Sequence, residues 1–196
     1  MHDLRQKNEE SVKIVKESDQ NRKAQGTMIQ PIIANAICFA VRAHDGQTRK
    51  GSDIPYITHP VEVALILAQM GAGDDLIAAG LLHDTLEDTD TTAEELEAAF
   101  GKNVLAIVES DSENKTLSWE ERKQATLTLL PNEGREAQML ALADKLANMR
   151  SIAEDYATLG DALWKRFNRG YEQQKWYYTG LHAALGALRD LAAKNN

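Results

Sequence analysis

The sequence is poor in cysteine and proline, and each shortage narrows the class of protein. A single cysteine, Cys38, occurs among 196 residues, which excludes a small domain held together by internal disulfides. Its place in the apolar segment Ala36-Ile37-Cys38-Phe39-Ala40 predicts a buried free thiol in a reducing cytoplasm. Only 4 prolines, with long Ala-, Leu- and Glu-rich segments and few alternating β-branched stretches, indicate an all-α fold of about eight or nine helices.

Long apolar runs and an excess of positive charge are also missing. No stretch of about 18 apolar residues and no signal-peptide pattern occurs, so we expect a cytoplasmic protein without a membrane span. The 22 basic and 30 acidic residues give a net charge of −8, which disfavours broad contact with a nucleic-acid backbone. Neither nucleic acid nor a membrane is therefore expected as a partner, and the oligomeric state stays open.

Residues 1–27 differ in composition from the rest of the chain. This segment is rich in Lys, Glu, Gln, Asn, Asp and Ser and has few apolar positions. A disordered tail, a loosely docked helix and a start-site artefact all fit that composition. Residues 28–196 contain no repeat, low-complexity block or linker. We therefore predict a polar extension over 1–27 followed by one helical domain over 28–196.

The stretch Leu81-Leu82-His83-Asp84-Thr85-Leu86-Glu87-Asp88-Thr89 places four chemically active side chains on neighbouring helical positions. Residues 76–82 before it are apolar almost all round, which is typical of a helix in the middle of a fold, where a carboxylate needs a partner. On one continuous helix His83 lies over Glu87 and Asp84 over Asp88, so all four can face one pocket. The alternative is an acidic helix end that enters solvent.

Two further residues with metal-binding side chains occupy positions that also look buried. His59 precedes Pro60, which would begin a helix with Thr58 or His59 as its cap. Asp144 interrupts the apolar run 139–149, with Asn148 one turn away on the same face. Two imidazoles and two carboxylates suit manganese, iron, cobalt or zinc better than they suit a thiolate zinc site or an all-oxygen calcium loop.

Taken together, His59, His83-Asp84 and Asp144 resemble the His…His-Asp…Asp pattern of the HD phosphohydrolase superfamily. Segment 44–60, which contains Asp45-Gly46-Gln47-Thr48-Arg49-Lys50-Gly51 and ends in Thr58-His59-Pro60, is similar to the opening signature of the RelA/SpoT hydrolase domain. Segment 143–150, Ala-Asp-Lys-Leu-Ala-Asn-Met-Arg, is similar to a second signature, and Phe100-Gly101 to a third feature. The similarity covers residues 28–185.

This resemblance implies a fold, a reaction and a cofactor. The fold would be a helical HD-domain bundle, and no synthetase or regulatory domain follows it in this sequence. We therefore expect a stand-alone small alarmone hydrolase, similar to the metazoan SpoT homologues. That family removes the 3′-pyrophosphate of guanosine tetra- and pentaphosphate with manganese, which would be held here by His59, His83, Asp84 and Asp144.

The resemblance also implies roles for residues around the metal. Glu87 and Asp88 would hold the attacking water and accept its proton. A substrate with several phosphates requires cations around the site. Arg49 would pack on the base, Lys50 would meet phosphate, and Asn148 would lie beside the ribose and base. Lys115, in the loop after the Phe-Gly helix, and Lys145 complete the expected substrate-binding set.

The positions of the histidines indicate how many metals the site holds. The chain has 5 histidines, and none lies between Asp84 and Asp144, where two-metal HD proteins carry additional ones. One divalent metal per chain is therefore expected. His44 lies in the opening motif outside the ligand positions, so we predict a structural role for it or one beside the site.

The identity of the substrate stays open at the level of the sequence. Adenosine alarmones and the 2′-phosphate of NADPH fit the same chemistry, and a non-catalytic nucleotide-sensing module is a third hypothesis. The aromatic segment with Trp164, Phe167, Trp176 and Tyr177 lies outside the family signatures. We expect these rings to pack the final helices together rather than to stack on a nucleotide.

Overall fold

The computed structural model describes residues 30–186, and all regular structure in them is helical. The predicted extension over residues 1–27 lies outside the described residues. The α-helices, in chain order, are α1 (Pro31–Ala43), α2 (Thr58–Gln69), α3 (Asp74–Leu82), α4 (Thr85–Asp88), α5 (Ala93–Asp111), α6 (Trp119–Leu129), α7 (Arg135–Leu159) and α8 (Tyr171–Ala184).

Two 3-10 helices, Leu130–Asn132 and Gly160–Arg166, connect the later helices, and Thr48 and Pro55 form an isolated β-bridge. The all-α prediction is confirmed. Apart from the single turn α4, residues 30–186 contain seven α-helices, slightly fewer than the eight or nine expected of the chain.

Helix α3 lies at the centre of the main core and packs against α1, α2 and α5. Its apolar residues are buried except Ile77, which is half-buried, so the helix is enclosed nearly all round, as the sequence predicts for a central helix. Gly80 permits the close approach of α2, because a Cβ atom added there would lie 2.6 Å from Leu67 Cδ1. A smaller core, built around Leu130, Tyr177 and Leu181, joins the C-terminal helices.

The helix through His83 and Asp84 is not continuous, contrary to the sequence prediction. Helix α3 ends at Leu82, Asp84 adopts φ −90° and ψ −3°, and the single turn α4 begins at Thr85. The Thr85 hydroxyl donates to the Leu82 carbonyl at 2.7 Å. A side chain thus takes an acceptor of the helix ladder, and a turn at the His-Asp pair interrupts the regular helix.

The helix ends were predicted with mixed success. The capping box of Thr92 and Glu95 at the start of α5 is confirmed. The predicted cap of α2 is wrong, because the helix begins at Thr58 with Ile57 before it. Both the backbone N–H and the hydroxyl of Thr58 donate to the Pro55 carbonyl, so the chain already turns at that point.

Cys38 is exposed, which corrects the prediction of a buried thiol. Helix α1 buries the face that carries Ala36 and Ala40, and Cys38 lies two residues from each, on the opposite side. Within residues 30–186, no helix combines the length and the apolarity that crossing a membrane requires.

Candidate metal centre and adjoining cleft

His59, His83 and Asp144 form a group in which one ligand atom from each residue lies within 4.8 Å of the others. They come from the start of α2, the end of α3 and the middle of α7, three elements that meet at the main core. All three residues are buried. His59 Nε2 lies 3.0 Å from Asp144 Oδ1, and His83 Nε2 lies 3.8 Å from the same oxygen. The sequence therefore predicted a cluster that the fold does assemble.

Asp84, the fourth predicted ligand, lies beside this group. Its Oδ2 is 3.1 Å from His83 Nε2 and 3.6 Å from His59 Nε2. The same oxygen accepts a hydrogen bond from the Tyr56 hydroxyl at 2.5 Å. Asp84 is thus close enough to join the cluster and is oriented by a neighbouring phenol.

The hydrogen bonds of His83 fit a metal ligand. Its Nδ1 lies 2.9 Å from the Gly80 carbonyl, while its buried Nε2 makes no hydrogen bond. An Nδ1–H bonded to a carbonyl leaves the lone pair of Nε2 directed at the cluster, which is how metal-bound histidines are commonly held. Asn148 supports the opposite side by donating to Asp144 Oδ1 at 2.6 Å. The donor set and its supporting contacts therefore fit one divalent cation with N and O ligands.

The electrostatics of the cluster also call for positive charge. Burial alone raises the pKa of Asp144, but Lys145 and the two histidines more than offset it, so the pKa lies well below its ordinary value. The pKa of Asp84 is likewise lowered by His83 despite burial. Burial lowers the pKa of His83, yet Asp84 and Asp144 outweigh that effect and hold it well above 6.5. Two carboxylates thus retain their charge and stabilise a cation between them, whether a proton or a metal.

Glu87 and Asp88 lie on α4 and share a cavity of about 290 Å³ with the metal cluster. Glu87 Oε1 accepts from the Glu113 backbone N–H at 2.6 Å. Lys115 Nζ donates to Asp88 Oδ1 at 3.0 Å and also to the Glu87 carbonyl. Gln47 donates to the Asp88 carbonyl at 2.7 Å. The loop before α2 and the loop after α5 therefore hold α4 and its carboxylates beside the cluster, although α3 ends before the His-Asp pair.

A larger cleft of about 500 Å³ adjoins this cavity. The two spaces share part of their lining. The shared residues are Tyr56, His59, Lys123, Lys145 and Asn148. Because the cleft ends at the metal cluster, a ligand can extend from the cleft with one end at the metal.

Most of the predicted substrate-binding residues line this cleft. Arg49 donates to Asn148 Oδ1 at 3.3 Å, and Lys50 donates to Asn168 Oδ1 at 3.4 Å. Lys145 donates to Asp144 Oδ2 and lines both spaces. Lys115 is different, because it lines the metal cavity and pairs with the carboxylates of α4 rather than facing the cleft.

His44 takes a supporting position close to the site. It is buried, its Nδ1 lies 2.8 Å from Gln47 Oε1, and its ring lies 4.9 Å from that of Tyr56. Gln47 in turn contacts Asp88, and Tyr56 contacts Asp84. His44 is therefore linked to Asp88 and Asp84 by contacts through two residues of its own loop.

The aromatic segment packs largely as predicted. Trp164 contacts the rings of Phe167 and Tyr171, and Trp176 contacts Trp119. Phe167 and Tyr177 also line the cleft, together with Tyr178. The rings thus serve the packing of the last helices and form a wall of the cleft at the same time.

Sequence reasoning missed several residues of the site. Glu113 and Lys123 form an ion pair of 2.6 Å between the loop after α5 and helix α6, and Lys123 lines both spaces. Asp111 lines the metal cavity, where burial raises its pKa to about 6. These residues lie in polar, weakly patterned segments, and no local motif marks them. Tyr56 could have been found, since it lies inside the quoted segment 44–60.

The fold and the site together define a helical protein with a buried His-Asp cluster suited to a divalent metal. The chain belongs to the HD domain family, whose sequence pattern matches residues 36–168. The HD resemblance read from His59, His83-Asp84 and Asp144 is thereby confirmed.

Several relatives are similar to this chain over most of the HD domain. The guanosine-3′,5′-bis(diphosphate) 3′-pyrophosphohydrolase MESH1 of Xenopus tropicalis is 44% identical over 124 residues, which are 62% of this chain and 69% of that protein. The solved structure of lmo0812 from Listeria monocytogenes EGD-e is 42% identical, with a TM-score of 0.62 over 65% of this chain and 82% of that one. The structure of a metazoan ortholog of SpoT that hydrolyses ppGpp is 25% identical, with a TM-score of 0.69 over 82% of this chain and 88% of that one.

Proposed function

We propose that this chain is a manganese-dependent guanosine-3′,5′-bis(diphosphate) 3′-pyrophosphohydrolase that releases pyrophosphate and leaves GDP, or GTP from the pentaphosphate. One observation carries the proposal: a candidate metal cluster lies at the end of a cleft lined by basic residues. Within residues 30–186, Arg49 and Lys50 contact amide oxygens and form no ion pair with a carboxylate. Their charge is therefore available to a polyanionic nucleotide. The names of the relatives support the same reaction.

The chemistry at the metal end would depend on four ligands. His59, His83, Asp84 and Asp144 would hold the cation. When bound, it would polarise a phosphate oxygen and lower the pKa of a water molecule. The mixed N and O donors suit manganese, and the count of histidines favours one metal per chain.

Glu87 and Asp88 would handle the proton of the attacking water. Glu87 Oε1 accepts from Glu113 N–H, Glu87 Oε2 lies 3.6 Å from the Lys115 ammonium, and Asp88 Oδ1 accepts from Lys115. The second oxygen of each can accept a hydrogen bond from water, and a carboxylate so placed contributes about 10²–10⁴-fold to the rate. We propose that Lys115 orients these carboxylates and meets a substrate phosphate at the rim of the cavity.

The remaining predicted residues would place the nucleotide. Arg49 already lies 5.9 Å from the centre of the Tyr56 ring, so its planar group can pack against a flat surface. We propose that Arg49 packs on the base, that Asn148 contacts the ribose and base, and that Lys50 and Lys145 meet phosphate oxygens. We also propose a cytoplasmic setting and small nucleotides rather than nucleic acid as ligands, consistent with the net charge of −8.

A substrate panel tests the proposal. Manganese-loaded protein would be assayed with guanosine and adenosine 3′,5′-bis(diphosphates), NADPH and a simple phosphomonoester, with pyrophosphate and phosphate measured separately. We expect pyrophosphate from the guanosine alarmone, and little turnover of the monoester because it lacks the groups that the cleft binds. Faster release of phosphate from NADPH would assign a nucleotide phosphatase instead. Nucleotide binding without any turnover would assign a sensing module.

The variant Arg49→Ala adds a test of substrate placement. It should raise KM by about tenfold or more, the usual loss for a charged hydrogen-bonding contact, and should leave metal content unchanged. It should also weaken discrimination between guanine and adenine. Arg135→Ala is the matched control, because Arg135 is exposed and lies outside the cleft. An unchanged KM in Arg49→Ala would remove Arg49 from the binding site.

A further inference from the structure

Lys123 lies where the cleft and the metal cavity meet, on a helix that carries no predicted site residue. It is part of the lining of both spaces, and only 18% of its side chain is exposed. It comes from α6, whereas Arg49 and Lys50 come from the loop between α1 and α2. Lys123 therefore provides positive charge on a different wall from the residues proposed to bind the base and ribose.

The charges around Lys123 leave room for an anion. Its ammonium lies 2.6 Å from Glu113 Oε1, but Glu113 also pairs with Arg122 at 2.9 Å, so one carboxylate serves two cations. Lys145 faces the same space and already pairs with Asp144. Burial and the Lys145 ammonium both lower the pKa of Lys123. Two partly buried ammonium groups that repel each other are stabilised when an anion lies between them.

An unpaired hydroxyl lies at the same place. Tyr177 is 3% exposed, lines the cleft and carries the Lys123 ammonium 4.9 Å from its ring centre. Its buried hydroxyl has no hydrogen-bond partner within the described residues. Burial raises the pKa of Tyr177 to about 12, so this hydroxyl remains a donor at neutral pH. A buried donor without a partner is costly. Protein atoms enclose this hydroxyl, so a ligand oxygen would satisfy it after the enclosing side chains shift.

We propose that Lys123 and Tyr177 form the subsite for the distal phosphate of the 3′-diphosphate. The inference rests on the proposed function. In that reaction the oxygen of water bonds to the proximal phosphorus while the bond from that phosphorus to ribose O3′ breaks. The water loses a proton to the carboxylates of α4, O3′ gains one, and pyrophosphate leaves. The proximal phosphate lies at the metal cluster, and the distal phosphate reaches the wall that both spaces share.

This subsite gives the protein a means of selecting a diphosphate over a monophosphate. A 3′-monophosphate fills the metal end but makes no contact with Lys123 or Tyr177. A 3′-diphosphate adds a charge-assisted hydrogen bond from Lys123 and a hydrogen bond from the Tyr177 hydroxyl. Specificity then comes from interactions that the smaller group leaves unmade.

Calorimetric titration with inorganic pyrophosphate and with inorganic phosphate tests the subsite without turnover. Protein and titrant would contain the same free manganese concentration. Lys123→Gln should weaken pyrophosphate binding by about tenfold or more and change phosphate binding less than about twofold. Tyr177→Phe should weaken pyrophosphate binding by about threefold or more through loss of one neutral hydrogen bond. Lys102→Gln is the matched control, because the side chain of Lys102 is 87% exposed on α5.

Kinetics provide a second readout. For two guanosine nucleotides that differ only in a 3′-diphosphate or a 3′-monophosphate, Lys123→Gln should reduce the ratio of their kcat/KM values by about tenfold or more. Lys123→Arg keeps the charge and should preserve most of that ratio. If Lys123→Gln does not fold, the binding and kinetic measurements on Lys123→Arg and Tyr177→Phe test the proposal instead. Equal loss for both anions, or no loss for pyrophosphate, would overturn the proposal. If the wild-type protein bound pyrophosphate, lost that binding in Lys123→Gln, and yet hydrolysed no alarmone, the subsite would stand and the proposed function would be refuted.

Discussion

Replacing Asp144 with alanine is the most informative perturbation of the candidate metal centre, because this carboxylate connects every part of it. Asp144 is 4% exposed and lies 3.0 Å from His59 Nε2. It also accepts hydrogen bonds from Lys145 and from Asn148. The variant removes a metal ligand and leaves the largely buried Lys145 ammonium without its nearest counter-charge.

The expected effects can be sized from these contacts. Breaking a buried ion pair by removing one partner costs about 3–5 kcal/mol. For a domain of this size each kcal/mol lowers Tm by about 2–4 °C, so metal-free Asp144→Ala should unfold about 6–20 °C below the wild type. Manganese at about 100 times its Kd stabilises a binding-competent protein by about 2.7 kcal/mol, which raises Tm by about 5–11 °C. The variant should show no such rise.

Thermal unfolding with and without manganese, together with elemental analysis of the purified protein, measures both effects. Asp155→Ala is the matched control, because Asp155 lies on the same helix and pairs with Arg166 but is 44% exposed in its side chain. An exposed pair contributes about 0–1 kcal/mol, so this control should lose little stability and keep its metal response. If Asp144→Ala bound stoichiometric manganese and gained the full rise in Tm, the assignment of the metal centre would be refuted.

Two further predictions concern acidic residues of the same cavity. The double variant Glu87→Gln, Asp88→Asn should keep metal and nucleotide binding but lower kcat by about 10²-fold or more, because the amides cannot accept a proton. Single-turnover kinetics measure this loss, and a rate near that of the wild type would place the base elsewhere. Burial raises the pKa of Asp111 from 3.8 to about 6 in the folded protein, so its contribution to stability is present at low pH and lost as pH rises through about 6. The free energy of unfolding of metal-free Asp111→Asn should therefore rise relative to that of the wild type as pH increases from about 4 to about 7, by about 3 kcal/mol at most. Urea unfolding across this pH range measures the difference, and a difference that does not change with pH would contradict the prediction. The charged groups that face Asp111 are Lys145, Asp144, His83 and Asp84.

The metal cluster could be predicted from sequence because burial makes polar residues conspicuous. His83 and Asp144 interrupt apolar helices, and a charged group in such a place needs a partner. The same reasoning failed at the turn after Leu82, since hydrophobic periodicity cannot show that the Thr85 hydroxyl will take a helix carbonyl. The interruption nevertheless leaves Asp84, Glu87 and Asp88 in one cavity, although not through the continuous helix on which the prediction was based.

The α6 wall of the site could not be predicted in the same way. Lys123 is one lysine on a helix with no fully buried residue, and its sequence is that of a solvated surface helix. It becomes part of the site only because α6 packs against α8, which brings Tyr177 beneath its ammonium. The two residues are distant in sequence, and a pairing of that kind depends on tertiary packing rather than on local periodicity.

Glu113 connects the two halves of this site. Its backbone N–H donates to Glu87 at 2.6 Å, and its carboxylate accepts from Lys123 at 2.6 Å. A phosphate that binds Lys123 would compete with the Glu113 carboxylate for the same ammonium, while Arg122 would continue to hold that carboxylate from the other side. Glu113 contacts the proton-accepting carboxylate through its backbone N–H and the cation of the distal subsite through its side chain. We therefore expect occupation of the subsite to affect the position of Glu87. A diphosphate can thus influence the alignment of the attacking water through contacts that a monophosphate does not make.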